Sequence, residues 1–130
     1  MIRGAVYRVD LGDAKRGREQ RGRRYGLVIS PSSMAWSVAT IVPTSRSAQP
    51  AVFRPTLELL GVPTRFLVDQ ITSIDTQYID GEPVAYLERD EMAEIEHALA
   101  RYLGLGLLFI CPRSARVGSR SLFGRRRFRL

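Results

Sequence analysis

Two carboxylates, a hydroxyl pair and several guanidiniums stand at the ends of apolar runs in this chain: Glu19, Arg23, Arg24, Thr44, Ser45, Arg46, Arg65, Asp69 and Gln70. The densest part is GREQRGRRYGLVIS at 17–30, where a glycine-punctuated arginine loop runs into an apolar segment. Arginine presents a planar fork that matches phosphate oxygens. Arg24, held at the mouth of a strand with Arg18, Arg21 and Arg23 in front of it, is therefore a candidate phosphate grip. Each side chain also has an ordinary structural use. Thr44 can close a turn after Pro43, and Asp69 and Gln70 can satisfy backbone N–H groups at a bend.

Other chemistries find no support. There is no Gly-rich P-loop and no GxGxxG. One cysteine, Cys111, and one histidine, His97, do not make a zinc site, and no cofactor is called for. Cys111 sits in an apolar run and reads as packing, while His97 falls off the apolar stripe of a predicted helix. A single cysteine forms no intrachain disulfide, which fits a reducing, cytoplasmic setting. The start, MIRGAVYRVD, lacks the apolar core of a signal peptide, and no run approaches the roughly 18–20 apolar residues of a membrane span.

The net charge of +7 is unevenly placed. Residues 1–65 carry 11 basic and 4 acidic groups, whereas residues 66–106 carry 2 and 9. The last 24 residues, 107–130, hold seven arginines and no acid. The body is thus neutral overall but polarised, with its basic half suited to a polyanion. Nineteen of the 20 basic residues are arginine, a bias that phosphate recognition and a GC-rich genome would each produce.

The elements that must position these groups read as short strands followed by one helix. GAVYRVDL at 4–11 alternates and predicts a first strand; GDAKRGREQRGRR at 12–24 predicts a functional loop. YGLVIS at 25–30 predicts a buried strand, PSSMAW at 31–36 a turn capped by Ser32 or Ser33, and SVATIVPT at 37–44 a strand stopped by Pro43. AVFRPTLEL at 51–59 alternates around Pro55, as an edge or bulged strand would. GVPT at 61–64 predicts a turn, RFLVDQI at 65–71 a strand, SIDTQYI at 73–79 a short strand or helical turn, and PVAYL at 83–87 a last strand. The period then changes. Met92, Ile95, Leu99, Tyr102 and Leu103 recur at helical spacing within 88–106, with acids near the start, Arg101 near the end and Gly104 as a stop. This order argues a mainly β, partly closed antiparallel barrel with a C-terminal helix. It also argues one domain at 1–106, followed by an Arg-rich tail at 107–130 that is expected to be largely disordered.

RGAVYRVDLG at 3–12, EQRGRRYGLVIS at 19–30, VPTS at 42–45, VDQITSID at 68–75 and the closing GEPVAYLERDEMAEIEHALARYLGL at 81–105 resemble the MazF/PemK-like toxins of type II toxin–antitoxin systems. The resemblance implies an SH3-like barrel, a homodimer and endoribonuclease activity at or near the dimer groove. It implies catalytic roles for Arg24, Thr44 and the DQ aspartate, Asp69, with Glu19 as a second candidate carboxylate. It implies substrate contacts from Arg18, Arg21, Arg23, Ser45, Arg46, Arg65 and Gln70. Three positions depart from the family pattern: Tyr25 stands where proline is usual, and Thr72 and Leu67 stand where arginines are found. Arg65, two residues before Leu67 on the same predicted strand, can substitute.

The chemistry so implied needs no metal. The ribose 2′-OH attacks the adjacent phosphorus and expels the 5′-oxygen, while the protein orients the hydroxyl, stabilises the added charge and moves protons. Arg24 suits the phosphorane but, with a pKa above about 12, not the base role. Glu19 or Asp69 would receive the 2′-OH proton, and Thr44 would donate to a non-bridging oxygen. Loops 12–24 and 45–51 would choose bases in single-stranded RNA, with Tyr25 or Trp36 as stacking platforms. The implied partner is an antitoxin whose acidic segment covers the basic groove. Two other readings share these features: a DNA-gyrase poison on the same fold, and a non-catalytic nucleic-acid-binding module driven by the arginine tail.

Overall fold

The computed structural model describes residues 1–12, 22–31 and 37–106. Residues 32–36 of the predicted 31–36 turn, Trp36 among them, most of the predicted loop and the 107–130 tail lie outside the described residues.

Among the described residues, seven antiparallel strands and one α-helix follow in order: β1 (Ala5–Asp10), β2 (Arg23–Val28), β3 (Val38–Ser45), β4 (Thr56–Leu59), β5 (Val62–Phe66), β6 (Thr72–Asp75), β7 (Ala85–Tyr86) and α1 (Arg89–Leu103). The sheet order is β4-β5-β3-β2-β1-β7, and β6 also pairs with β3. β3 is the hub. Along one edge it pairs with β2; along the other it pairs first with β6 (Val38–Ile41 opposite Asp75–Thr72) and then with β5 (Thr44 and Ser45 opposite Phe66 and Arg65). Residues 79–87 run back along β1, through a Val9–Ile79 bridge and bonds from Asp80 N–H to the Arg8 carbonyl and Val84 N–H to the Val6 carbonyl. The sheet thereby curls into a nearly closed barrel, the expected class.

Pro43 does not stop β3. Its carbonyl accepts from Leu67 N–H at 2.8 Å, so its polar groups face the gap between β6 and β5, where no strand needs a donor. The predicted 65–71 strand is instead broken across that gap. Phe66, Leu67 and Val68 are fully buried in succession, and Val68–Gln70 forms a 3-10 turn before β6 begins. Of GVPT only Gly61 belongs to the turn, which begins one residue earlier than predicted. Leu60 (φ 54°) and Gly61 (φ 81°) make a two-residue hairpin, and Pro63 sits in β5 opposite Glu58. The alternation over 51–59 becomes strand only from Thr56.

Both faces of the sheet are packed. Val6, Leu27, Val42, Phe66 and Val68 form one core with Ile95 and Ala98 of α1; Ala5, Tyr7, Val9, Val28, Ala39 and Ile41 form the other with Ile79. α1 begins where the Glu88 N–H is capped by the Glu91 carboxylate and ends at left-handed Gly104. Its apolar stripe leaves the core at the last turn. Tyr102 and Leu103 remain half exposed, and Tyr102 meets Phe53 edge-on with ring centres 5.1 Å apart. Among the described residues no helix is long and apolar enough to cross a membrane.

Gly26 in β2 lets β1 and β3 approach across the sheet. A Cβ there would lie 3.1 Å from Ile41 Cδ1 and 3.3 Å from both Val9 methyls. Gly26→Ala is therefore expected to destabilise the fold by about 1–3 kcal/mol, read as a lower urea midpoint at unchanged slope.

Candidate nucleic-acid site

An open cavity of about 350 Å³ lies where β1, β2, β3 and β5 meet. Its walls are Arg8, Arg23, Arg24, Tyr25, Thr44, Ser45, Arg46, Ser47 and Thr64. The strand registers explain the assembly. Val9 stands opposite Arg24, Asp10 opposite Arg23 and Arg8 opposite Tyr25 on β1–β2. Gly26 opposite Pro43 then sets Tyr25 beside Thr44 across β2–β3, and the Thr44 hydroxyl donates to the Tyr25 carbonyl at 2.8 Å. Ser45 Oγ accepts from the Ser47 and Ala48 N–H groups at 3.2 and 3.1 Å, turning the chain so that Arg46 and Ser47 reach the rim.

Of the residues predicted from sequence, Arg23, Arg24, Thr44, Ser45 and Arg46 come together in this cavity. Asp69, Gln70 and Arg65 are not among its walls. Asp69 lies in the 3-10 turn, with Oδ1 taking Arg54 Nε at 3.0 Å and Oδ2 taking Arg54 Nη2 at 2.9 Å. That hydrogen bond raises the Arg54 pKa above the ordinary arginine value; burial opposes the rise and the carboxylate charge adds to it. Arg65 lies on β5 opposite Ser45, with a buried Nε that finds no hydrogen-bond partner among the described residues. Glu19, Arg18 and Arg21 lie outside the described residues. Arg8, Ser47 and Thr64 were not anticipated. Alternation along β1 marks Arg8 only as outward-facing, and its place at the cavity comes from the pairing with Tyr25, whose ring lies 5.6 Å beneath the guanidinium.

Four arginines thus face one opening, and none of the described residues lining it is acidic. Like charges gathered this way repel, and an anion placed among them relieves the repulsion. No cluster of three potential metal-ligating His, Cys, Asp or Glu side chains occurs among the described residues. The cavity sets the Thr44 and Ser45 hydroxyls beside the guanidiniums with an aromatic ring at the wall, a grouping whose charge and donors are complementary to phosphate oxygens.

A nearly closed antiparallel barrel with a helix appended, carrying an arginine-walled cavity at strand ends, defines a small, mainly β barrel protein. Comparison with known proteins places it further. The profile of the PemK-like, MazF-like toxins of type II toxin–antitoxin systems matches residues 2–103, so the chain belongs to that toxin family. It is 72% identical over 105 residues to the proposed toxin Rv3098A of Mycobacterium tuberculosis (strain H37Rv), covering 81% of this chain and 99% of that protein. The crystal structure of MazF from Deinococcus radiodurans matches with a TM-score of 0.71 at 29% identity, over 81% of this chain and 97% of that one. A mycobacterial endoribonuclease solved with its cognate antitoxin shares the fold, with a TM-score of 0.68 at 21% identity over 82% and 97% of the two chains.

If the cavity grips phosphates, Arg23→Ala and Arg46→Ala should each weaken binding of a short single-stranded oligonucleotide to a similar degree for every sequence. Each should also flatten the log Kd against log salt plot by about 0.7, the contribution of one phosphate contact on a single strand. Fluorescence anisotropy over a salt series reads both effects.

Proposed function

We propose that this toxin is a single-strand-specific endoribonuclease that cuts RNA by 2′-OH attack on the adjacent phosphorus. The observation that carries the reading is the convergence of Arg24 and Thr44, from neighbouring strands, in a cavity walled by four arginines. Membership of a toxin family associated with endoribonucleases supports it.

In this mechanism the Arg24 fork holds the non-bridging oxygens as the phosphorane forms, with Arg23 and Arg46 on the flanking phosphates. The hydroxyl proton of Thr44 is committed to the Tyr25 carbonyl, so Thr44 offers acceptor lone pairs that can orient the 2′-OH. The 2′-oxygen forms its bond to phosphorus while its proton passes to a carboxylate. The P–O5′ bond breaks to leave a 2′,3′-cyclic phosphate, and the 5′-oxygen takes up a proton from water as it leaves. Both oxygens of Asp69 are engaged by Arg54. Glu19, from the 13–21 stretch, is the proposed acceptor. Bases are read by single-strand stacking, with Tyr25 as the platform.

The proposed assembly is a homodimer, neutralised by an antitoxin whose acidic segment lies over the arginines. Purified protein incubated with a long RNA in EDTA should give discrete products at one short motif. Arg24→Ala should remain folded yet lose about 10²–10³ in rate, the cost of removing one preorganised donor. Intact RNA accompanied by trapped gyrase–DNA complexes would replace this reading with the gyrase-poison one.

A further inference from the structure

We infer that the Arg54–Asp69 ion pair is a strut that sets the position of the Arg46–Gln49 rim of the cavity, which makes both members positioning residues. The rim hangs between two anchors. At its start Ser45 Oγ holds the Ser47 and Ala48 N–H groups. At its end the Gln49 carbonyl accepts from Arg54 Nη1 at 3.0 Å. The same guanidinium uses its other two nitrogens on Asp69, as a two-point fork. One side chain therefore ties the far end of the rim to the 3-10 turn between β5 and β6. That turn is itself fixed, because Val68 is fully buried and its N–H donates to the Phe53 carbonyl at 3.2 Å, next to Arg54 in the chain.

Between the anchors lie Arg46 and Ser47, the two rim residues that line the cavity. Both are exposed. A guanidinium without its anchor would sweep a wide volume and lose entropy on meeting a phosphate. The pair itself is partly shielded, with side chains 19% and 25% exposed, so the fork is better protected from solvent than the rim it holds. Lysine at position 54 would keep the charge but could not make three separate bonds in one plane.

The kinetic part of the test rests on the ribonuclease reading; the exchange part does not. Amide hydrogen exchange is measured by NMR on the full chain for wild type, Arg54→Ala, Asp69→Asn and the double variant. The Ser47 and Ala48 amides should exchange about tenfold faster in each single variant, and no faster in the double, while β3 amides stay unchanged. If β3 amides also accelerate in a variant, Arg54→Lys replaces it and should give the same local effect. Unchanged Ser47 and Ala48 exchange in a folded variant overturns the strut.

In steady-state cleavage, each single variant should raise KM about tenfold, with kcat within a few-fold and the shape of the pH profile retained. A kcat loss of about 10²–10³ in Asp69→Asn that Arg54→Ala does not share would instead make Asp69 a proton-transfer group. Should wild type cleave no RNA, the ribonuclease reading fails while the exchange data still decide the strut.

Discussion

The change of partner along β3 is the constraint on which the rest depends. β6 pairs with its first half and β5 with its last two residues, and Pro43 sits at the junction. Because proline has no N–H, it suits the one place on that edge where no strand needs a donor. Chain left over between β5 and β6 bulges away as the 3-10 turn that carries Asp69. Immediately past the junction come Thr44 and Ser45. The cavity hydroxyls, the rim they turn and the base of the Arg54 strut all follow from one interrupted strand edge.

The arginines reach the same place by register. β1 and β2 are joined through residues whose side chains alternate across the sheet, so a shift of one residue would send Arg24 to the other face. Gly26 guards that register, since no other residue lets Ile41 and Val9 meet over β2 without displacement. The result concentrates positive charge where backbone, not side-chain packing, fixes the attachment points. A rigid frame with charged groups at its open end lowers the ordering cost of meeting a flexible polyanion.

Much of this was legible in the sequence because it depended on local pattern. β1 follows from alternation, the body of β3 from its run of apolar β-formers and α1 from helical spacing, and the junction of arginine loop and apolar run locates Arg24. What was not legible depended on pairing. Leu60 is a poor turn residue by type, and only the β4–β5 register, with Pro63 inside the strand, forces it to positive φ. Arg54 reads as one outward residue of an alternating stretch, yet it spans fifteen residues to close on Asp69. The consecutive burial of Phe66, Leu67 and Val68 resembles a continuous strand, although a break leaves both sides of the backbone covered. Arg8 was missed for the same reason as Arg54: its neighbour across the ladder is not its neighbour in the chain.

The central claim is that the cavity walled by Arg8, Arg23, Arg24 and Arg46 is where the phosphate backbone binds. The most direct measurement is a titration of arginine side-chain NMR signals with a short oligoribonucleotide whose 2′-hydroxyls are replaced by fluorine, so that it cannot be cut. The Nε–H resonances of Arg23, Arg24 and Arg46 should shift together and saturably, while those of Arg89 and Arg101 on α1 stay in place. Saturable shifts confined to Arg89 and Arg101, or none at the cavity, would contradict the account.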